Sequence, residues 1–102
     1  MDMNQIMQQA QQFQQKLQSM QAELSQKQVS ATVGGGMVTA TVNGQHELIE
    51  LTIEKEVLDS SDPVMVQDLV LAAVNEAMKK AQEMIQAEMS KLTGGLKIPG
   101  LF

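Results

Sequence analysis

Apolar residues recur near the start of the chain at alternating spacings of three and four: Met3, Ile6, Ala10, Phe13, Leu17, Met20 and Leu24. Kept up for about three heptads, that spacing predicts a helix over about residues 2–27 with one narrow apolar seam, the pattern of a coiled coil or helix pair. Asp2 followed by Gln5 has the form of a capping box, so the helix starts at once. Its remaining surface is largely Gln (Gln8, Gln9, Gln11, Gln12, Gln14, Gln15, Gln18), a good helix former that reads as a solvated face rather than a prion-like tract.

The period then changes to two. Val29, Ala31 and Val33 alternate with polar residues as a first strand, and Gly34-Gly35-Gly36 breaks it. A triple glycine can suggest a phosphate cradle, but a P-loop needs Gly-Lys-Ser/Thr leading into a helix, whereas Met37 and a strand follow here; a turn or bulge is expected. Asn43-Gly44 sits between two alternating runs, the strongest short hairpin signal, and a two-residue type I′ turn there pairs Val42 with Gln45, Ala40 with Glu47 and Val38 with Ile49. Val38, Ala40, Val42, Ile49, Leu51 and Ile53 then share one face. Met37, Thr39, Thr41, His46, Leu48, Glu50, Thr52 and Glu54 share the other, mainly polar one. The sheet is expected over about residues 29–57.

Asp59-Ser60-Ser61-Asp62-Pro63 reads as a loop ending in an N-cap with proline at the first helical position. A second helix is expected over about 63–93, with Lys91 in its last turn and Gly94-Gly95 as its stop. Its first half is broadly apolar (Val66, Leu69, Val70, Ala73, Val74, Ala77), as for a helix lying on a sheet. The second half keeps only a stripe, Met78, Ala81, Ile85, Met89 and Leu92, and is expected to leave the sheet and meet another helix. About 30 helical residues reach roughly 45 Å, while strands of about six residues cover about 20 Å. The helices therefore overhang, and an overhanging apolar stripe needs a partner, either the first helix or a second copy. A homodimer is expected. The short tail 94–102, Gly94 to Phe102, is expected to dock or fray rather than to anchor in a membrane.

The length of 102 residues suits a single domain with a modest core. Two Phe are the only aromatics beside nine Met, a composition that marks adaptable packing or an interaction surface. The chain has no Cys, which removes thiolate metal sites and Cys nucleophiles and suits a reducing compartment. No opening basic segment leads into an apolar run, and no apolar run approaches a membrane span of about 18 residues, so a cytoplasmic protein without a membrane partner is expected. The net charge of -5 argues against a polyanion partner at face value, but its distribution changes the picture. Acids crowd into the third strand and its exit, at Glu47, Glu50, Glu54, Glu56, Asp59 and Asp62, with Lys55 the one base among them. The other six lysines, Lys16, Lys27, Lys79, Lys80, Lys91 and Lys97, lie on the helices or tail.

Catalytic chemistry finds no constellation. His46 is the one histidine, and beside an Asn-Gly turn it reads as a solvated cross-strand neighbour rather than a base or ligand. Glu50 and Glu54 share a strand face but lack a second cluster, so no metal, cofactor or general acid-base pair is expected and the protein is read as not an enzyme. Base readout is also disfavoured, because the commonest specific contact is a bidentate Arg and the chain has none.

The order of signals carries a resemblance. A Gln/Lys/Met first helix, Gly34-Gly35-Gly36-Met37-Val38, Thr41-Val42-Asn43-Gly44, Ile53 opening an acidic stretch, Leu69 to Lys80, Leu92-Thr93-Gly94-Gly95-Leu96 and Pro99-Gly100 together resemble the YbaB/EbfC family of bacterial nucleoid-associated proteins over nearly the whole chain. The resemblance implies an α+β fold: an α-β-β-β-α protomer with a three-stranded antiparallel sheet and two long helices, assembled as a tweezer-like homodimer. It also implies non-enzymatic binding of double-stranded DNA in the nucleoid. Many relatives carry a basic residue where Thr39 stands, whereas the pair Lys79-Lys80 matches. The expected DNA contacts are Lys16, Lys79, Lys80, Lys91 and Lys97, meeting phosphates rather than bases, weakly and without sequence preference. The alternative is a dimeric protein-interaction module whose Met-rich helices and apolar tail dock a replication or recombination factor.

Overall fold

The computed structural model describes residues 2–92. It is an α+β chain in the order α1 (Met3–Gln26), β1 (Gln28–Val33), β2 (Val38–Asn43), β3 (Leu48–Ile53), α2 (Lys55–Leu58) and α3 (Pro63–Leu92). The three strands form one antiparallel sheet in the order β1-β2-β3. The two long helices thus flank the sheet in sequence, with the single turn α2 added before the second.

Local chemistry explains the boundaries. Asp2 caps α1 by accepting a hydrogen bond from the Asn4 amide, and Asp62 caps α3 by accepting one from the Met65 amide, with Pro63 at the first helical position. Gly34, Gly35 and Gly36 all take positive φ, between 65° and 105°, which lets four residues connect Val33 to Val38. The third strand stops at Ile53 rather than running on to Val57. The Glu54 amide makes a last bond to Met37 O, and Glu54 O then accepts from the Val57 amide, winding the chain into α2 and burying Val57.

The hairpin register differs from the expected one. Val38 pairs with Ile53 and Ala40 with Leu51, not with Ile49 and Glu47, and a bulge between Thr41 and Val42 sets Val42 opposite Leu48. The connection is a four-residue loop, because Asn43 works through its side chain rather than through a left-handed backbone. Its Oδ1 accepts from the amides of Gln45 (2.9 Å) and Glu47 (3.1 Å), its Nδ2 donates to Glu47 Oε1 (3.0 Å), and His46 is the loop residue with positive φ. The partner of each β2 residue before the bulge moves by four positions, an even number. Val38, Ala40, Leu51 and Ile53 therefore still share a face.

Helix α3 covers that face over β1 and β2. Ala73, Ala77 and Ala81, one turn apart, have no exposed surface, and they bring the helix close onto Ala31, Val38, Ala40 and Val42. Among the described residues Val38 and Val42 are the largest fully buried side chains, so the core they form is small. On the other face hydroxyls pair across strands, Ser30 with Thr41 at 2.7 Å and Thr32 with Thr39 at 3.0 Å. The edge strand β3 lies beyond the cover of α3, leaving Leu48, Ile49 and Leu51 about 40% exposed. The Cα radius of gyration is 19.1 Å, against about 13 Å for a compact chain of this length. Overhang accounts for the excess.

Candidate nucleic-acid interface

Among the described residues, helix α1 is buried against the rest of the chain toward its C-terminal end, at Met20 and Leu24. Its first half projects, with Met3, Ile6 and Phe13 of the apolar seam exposed and Met7 exposed beside them. The distal part of α3 runs beside the base of α1. Leu17, Met20 and Leu24 there face Ile85 and Met89 across a cleft of about 590 Å³, floored by Gly44, Gln45 and His46. Of the stripe on the second half of α3, Ile85 and Met89 thus meet a helix of the same chain, whereas Met78 and Ala81 stay packed on the sheet.

Gly44 joins the two parts. Its amide donates to Leu24 O (3.0 Å), which also accepts from the Lys27 amide (3.1 Å), and to Lys27 O (3.2 Å) at the end of α1. A Cβ on Gly44 would lie 2.2 Å from Leu24 O, so the turn approaches α1 closer than any other residue type permits. Its φ is not positive, and its role is this approach rather than a left-handed turn.

The lysines take separate positions. Lys16 is exposed on α1 beside a shallow groove lined by Gln12, Gln15, Ser19, Met20 and Glu23. Lys79 and Lys80 are exposed on α3, and the Lys80 ammonium donates to Ser30 O of β1 at 3.1 Å. Lys91 is exposed in the last turn of α3, and Lys97 lies outside the described residues, as do Gly94-Gly95 and the tail. Lys80 and Lys91 stand eleven residues apart, about three turns, and so on one side of the helix about 16 Å apart. Lys79 points about 100° away from Lys80. The expected contacts therefore occupy two helices and at least two directions.

A tie that the sequence pattern did not reveal fastens α1 to α3. Lys27, the C-cap of α1, donates to Glu88 Oε1 at 2.5 Å, and Lys91 donates to the same oxygen at 3.3 Å. The hydrogen bond from Lys27, followed by that from Lys91, holds the Glu88 carboxyl below the ordinary Glu range. Lys27 is placed favourably at a helix C-terminus, which a sequence can signal. Its partner 61 residues away gives no local signal.

A second group of acids lies away from these lysines. Glu54, Glu56, Asp59 and Asp62 follow β3 at the opposite end of the sheet from the Gly44 turn, and Glu50 lies within β3 opposite Thr41. A pocket of about 510 Å³ opens there between Gly34–Met37, Glu54, Glu56, Val57 and Met65, lined by apolar side chains and carboxylates without a cation. Among the described residues no group of three or more His, Asp or Glu side chains is placed to hold a metal, and no helix is long and apolar enough to cross a membrane.

Comparison with known proteins bears on this arrangement. The profile of the YbaB/EbfC DNA-binding family matches residues 1–96. A nucleoid-associated protein of Thermoanaerobacter sp. (strain X514) is 54% identical over 101 residues, covering 99% of this chain and 91% of that protein. One from Clostridium acetobutylicum is 54% identical over 100 residues, covering 98% and 89%. In structure, an uncharacterized protein of Helicobacter pylori superposes with a TM-score of 0.83 at 23% identity, over 92% of this chain and 99% of that one, a likeness of fold.

Proposed function

The chain belongs to the YbaB/EbfC DNA-binding family, and we propose that it acts as a homodimeric, non-enzymatic nucleoid-associated protein that binds double-stranded DNA without strong sequence preference. The observation that carries this reading is where the cations lie in the fold. Lys16, Lys79, Lys80 and Lys91 sit on the two long helices, interleaved there with Glu23, Asp68, Glu76, Glu83 and Glu88, whereas the exit of the sheet carries Glu54, Glu56, Asp59 and Asp62 against Lys55 alone. Lysine ammoniums meet phosphates as point charges and the chain has no Arg for bidentate base readout, so contacts go to the backbone of DNA. Lys97 in the tail completes the proposed set. Such a protein works in the cytoplasm, on the nucleoid.

The dimer is supported by uncovered apolar surface. Leu48, Ile49 and Leu51 on an edge strand and the seam of α1 remain exposed in the single chain, more than its small core explains. Size exclusion with light scattering should give twice the mass of 11.1 kDa, and Leu51→Lys should shift the population toward the single chain. A wild-type mass of one chain at micromolar concentration would refute the dimer.

DNA binding is tested by gel retardation across a salt series. The affinity should fall with salt at a log-log slope of about -0.9 per phosphate neutralised. No retardation at about 50 mM salt with micromolar dimer would sink the reading. The exposed apolar side chains of Met3, Ile6, Met7 and Phe13 favour a second reading, a dimeric module that docks a replication or recombination protein. It predicts no DNA affinity, and partner capture that is lost when Lys97–Phe102 is deleted.

A further inference from the structure

We propose that Lys27 and Lys91 form a two-lysine seat for a DNA phosphate, and that Glu88 fills this seat in the free protein as a built-in competitor. The inference rests on the DNA-binding reading above and adds to it a residue, Lys27, and a regulatory role for an acid.

The geometry is specific. Two ammonium groups from different elements, one at the end of α1 and one in the last turn of α3, converge on a single carboxylate oxygen, Glu88 Oε1. The Glu88 side chain is only 14% exposed, while Lys27 and Lys91 are 43% and 74% exposed. The acid therefore sits beneath and the cations sit toward solvent, so an anion arriving from outside meets the ammoniums first. A phosphodiester oxygen offers the same acceptor chemistry as the carboxylate, and each ammonium carries three donors, enough to keep one bond to Glu88 or to exchange it. Ion pairs whose lysines are this open to water are individually weak, so the ammoniums exchange partners easily.

The seat is also in line with another cation. Lys80 lies on the same side of α3 as Lys91, about 16 Å toward the sheet, and its bond to Ser30 O places it over β1, the strand that Lys27 immediately precedes. Lys80, Lys27 and Lys91 thus form a row along the β1 side of α3. Glu88 is the acid inside that row. Glu83, by contrast, is exposed and five residues earlier, about 140° around the helix.

Glu88→Gln keeps the shape and removes the competitor; Glu83→Gln makes the same change in net charge away from the seat. Anisotropy of a short fluorescein-labelled duplex, titrated with the full chain between about 50 and 200 mM salt, compares them. Glu88→Gln should bind about fivefold tighter than Glu83→Gln, with a salt slope steeper by about 0.9 for each phosphate newly engaged. Lys27→Gln should weaken binding, and Lys27→Gln with Glu88→Gln should lose the gain. If Glu88 merely holds α1 in place, Lys27→Gln breaks the same tie and should tighten binding as Glu88→Gln does; that result overturns the seat. Equal affinities for Glu88→Gln and Glu83→Gln also overturn it while leaving DNA binding intact. No binding by wild type or any variant removes the DNA reading itself, and the seat with it.

Discussion

Gly44→Ala tests how α1 is attached. The added Cβ would lie 2.2 Å from Leu24 O and 2.7 Å from both Leu24 C and Leu24 Cβ. Ordinary carbon contacts lie at about 3.5–4.0 Å, so the turn and the end of α1 must separate by roughly 1 Å. The amide bonds from Gly44 to Leu24 O and Lys27 O stretch with that movement. Overpacking a close junction costs about 1–3 kcal/mol, and a lost backbone hydrogen bond about 1 kcal/mol. A destabilisation of about 2–4 kcal/mol is expected. Urea unfolding followed by circular dichroism measures it, at one fixed protein concentration because association shifts apparent stability. Two further variants separate the causes. Gly35 has φ +68° and open space around a Cβ, so Gly35→Ala should cost only the strain of a left-handed residue, about 1 kcal/mol. Gly44→Asn should be no milder than Gly44→Ala, since Asn relieves a left-handed backbone but not a clash. Gly44→Ala within about 0.5 kcal/mol of wild type, or an Asn variant clearly more stable than the Ala one, would refute the close-approach argument.

Asn43→Ala removes three hydrogen bonds at a residue only 8% exposed, and should cost about 1.5–3 kcal/mol, with faster hydrogen exchange at the Gln45 and Glu47 amides as the local readout. Ala77→Leu forces a larger side chain between α3 and the sheet at a position with no exposed surface, and should cost about 1–3 kcal/mol in urea unfolding. The Glu88 carboxyl is held below its ordinary value of 4.5, so its tie to Lys27 and Lys91 is fully present above that pH and is lost as the pH falls through the lowered folded value. An NMR titration of the Glu88 side chain should place its midpoint below 4.5, and Lys27→Gln should move it back upward.

Much of the fold was legible in the residues because period and capping are local. The three-and-four spacing from Met3 to Leu24, the alternation from Val29 to Val33 and the Asp62-Pro63 start each gave an element that the structure contains. The apolar face of the sheet survived a wrong register because the error was even, leaving Val38, Ala40, Leu51 and Ile53 on one side. Asn43-Gly44 misled because two residues with a familiar turn signature do different work. The Asn amide builds a longer loop, and the Gly makes room for a helix end 20 residues earlier in the chain.

The sequence by itself determined the two long helices, the three strands and their order, and the placing of most lysines outside the acidic strand, because each depends on neighbours within a turn or a strand, whereas the single turn α2 did not show in it. Only tertiary structure decided that Gly44 supports α1, that α3 covers β1 and β2 but leaves β3 open, and that Lys27 and Lys91 meet on Glu88. Those outcomes depend on contacts between residues tens of positions apart. No periodicity along the chain encodes which carbonyl a distant amide will reach, or which carboxylate two lysines will share.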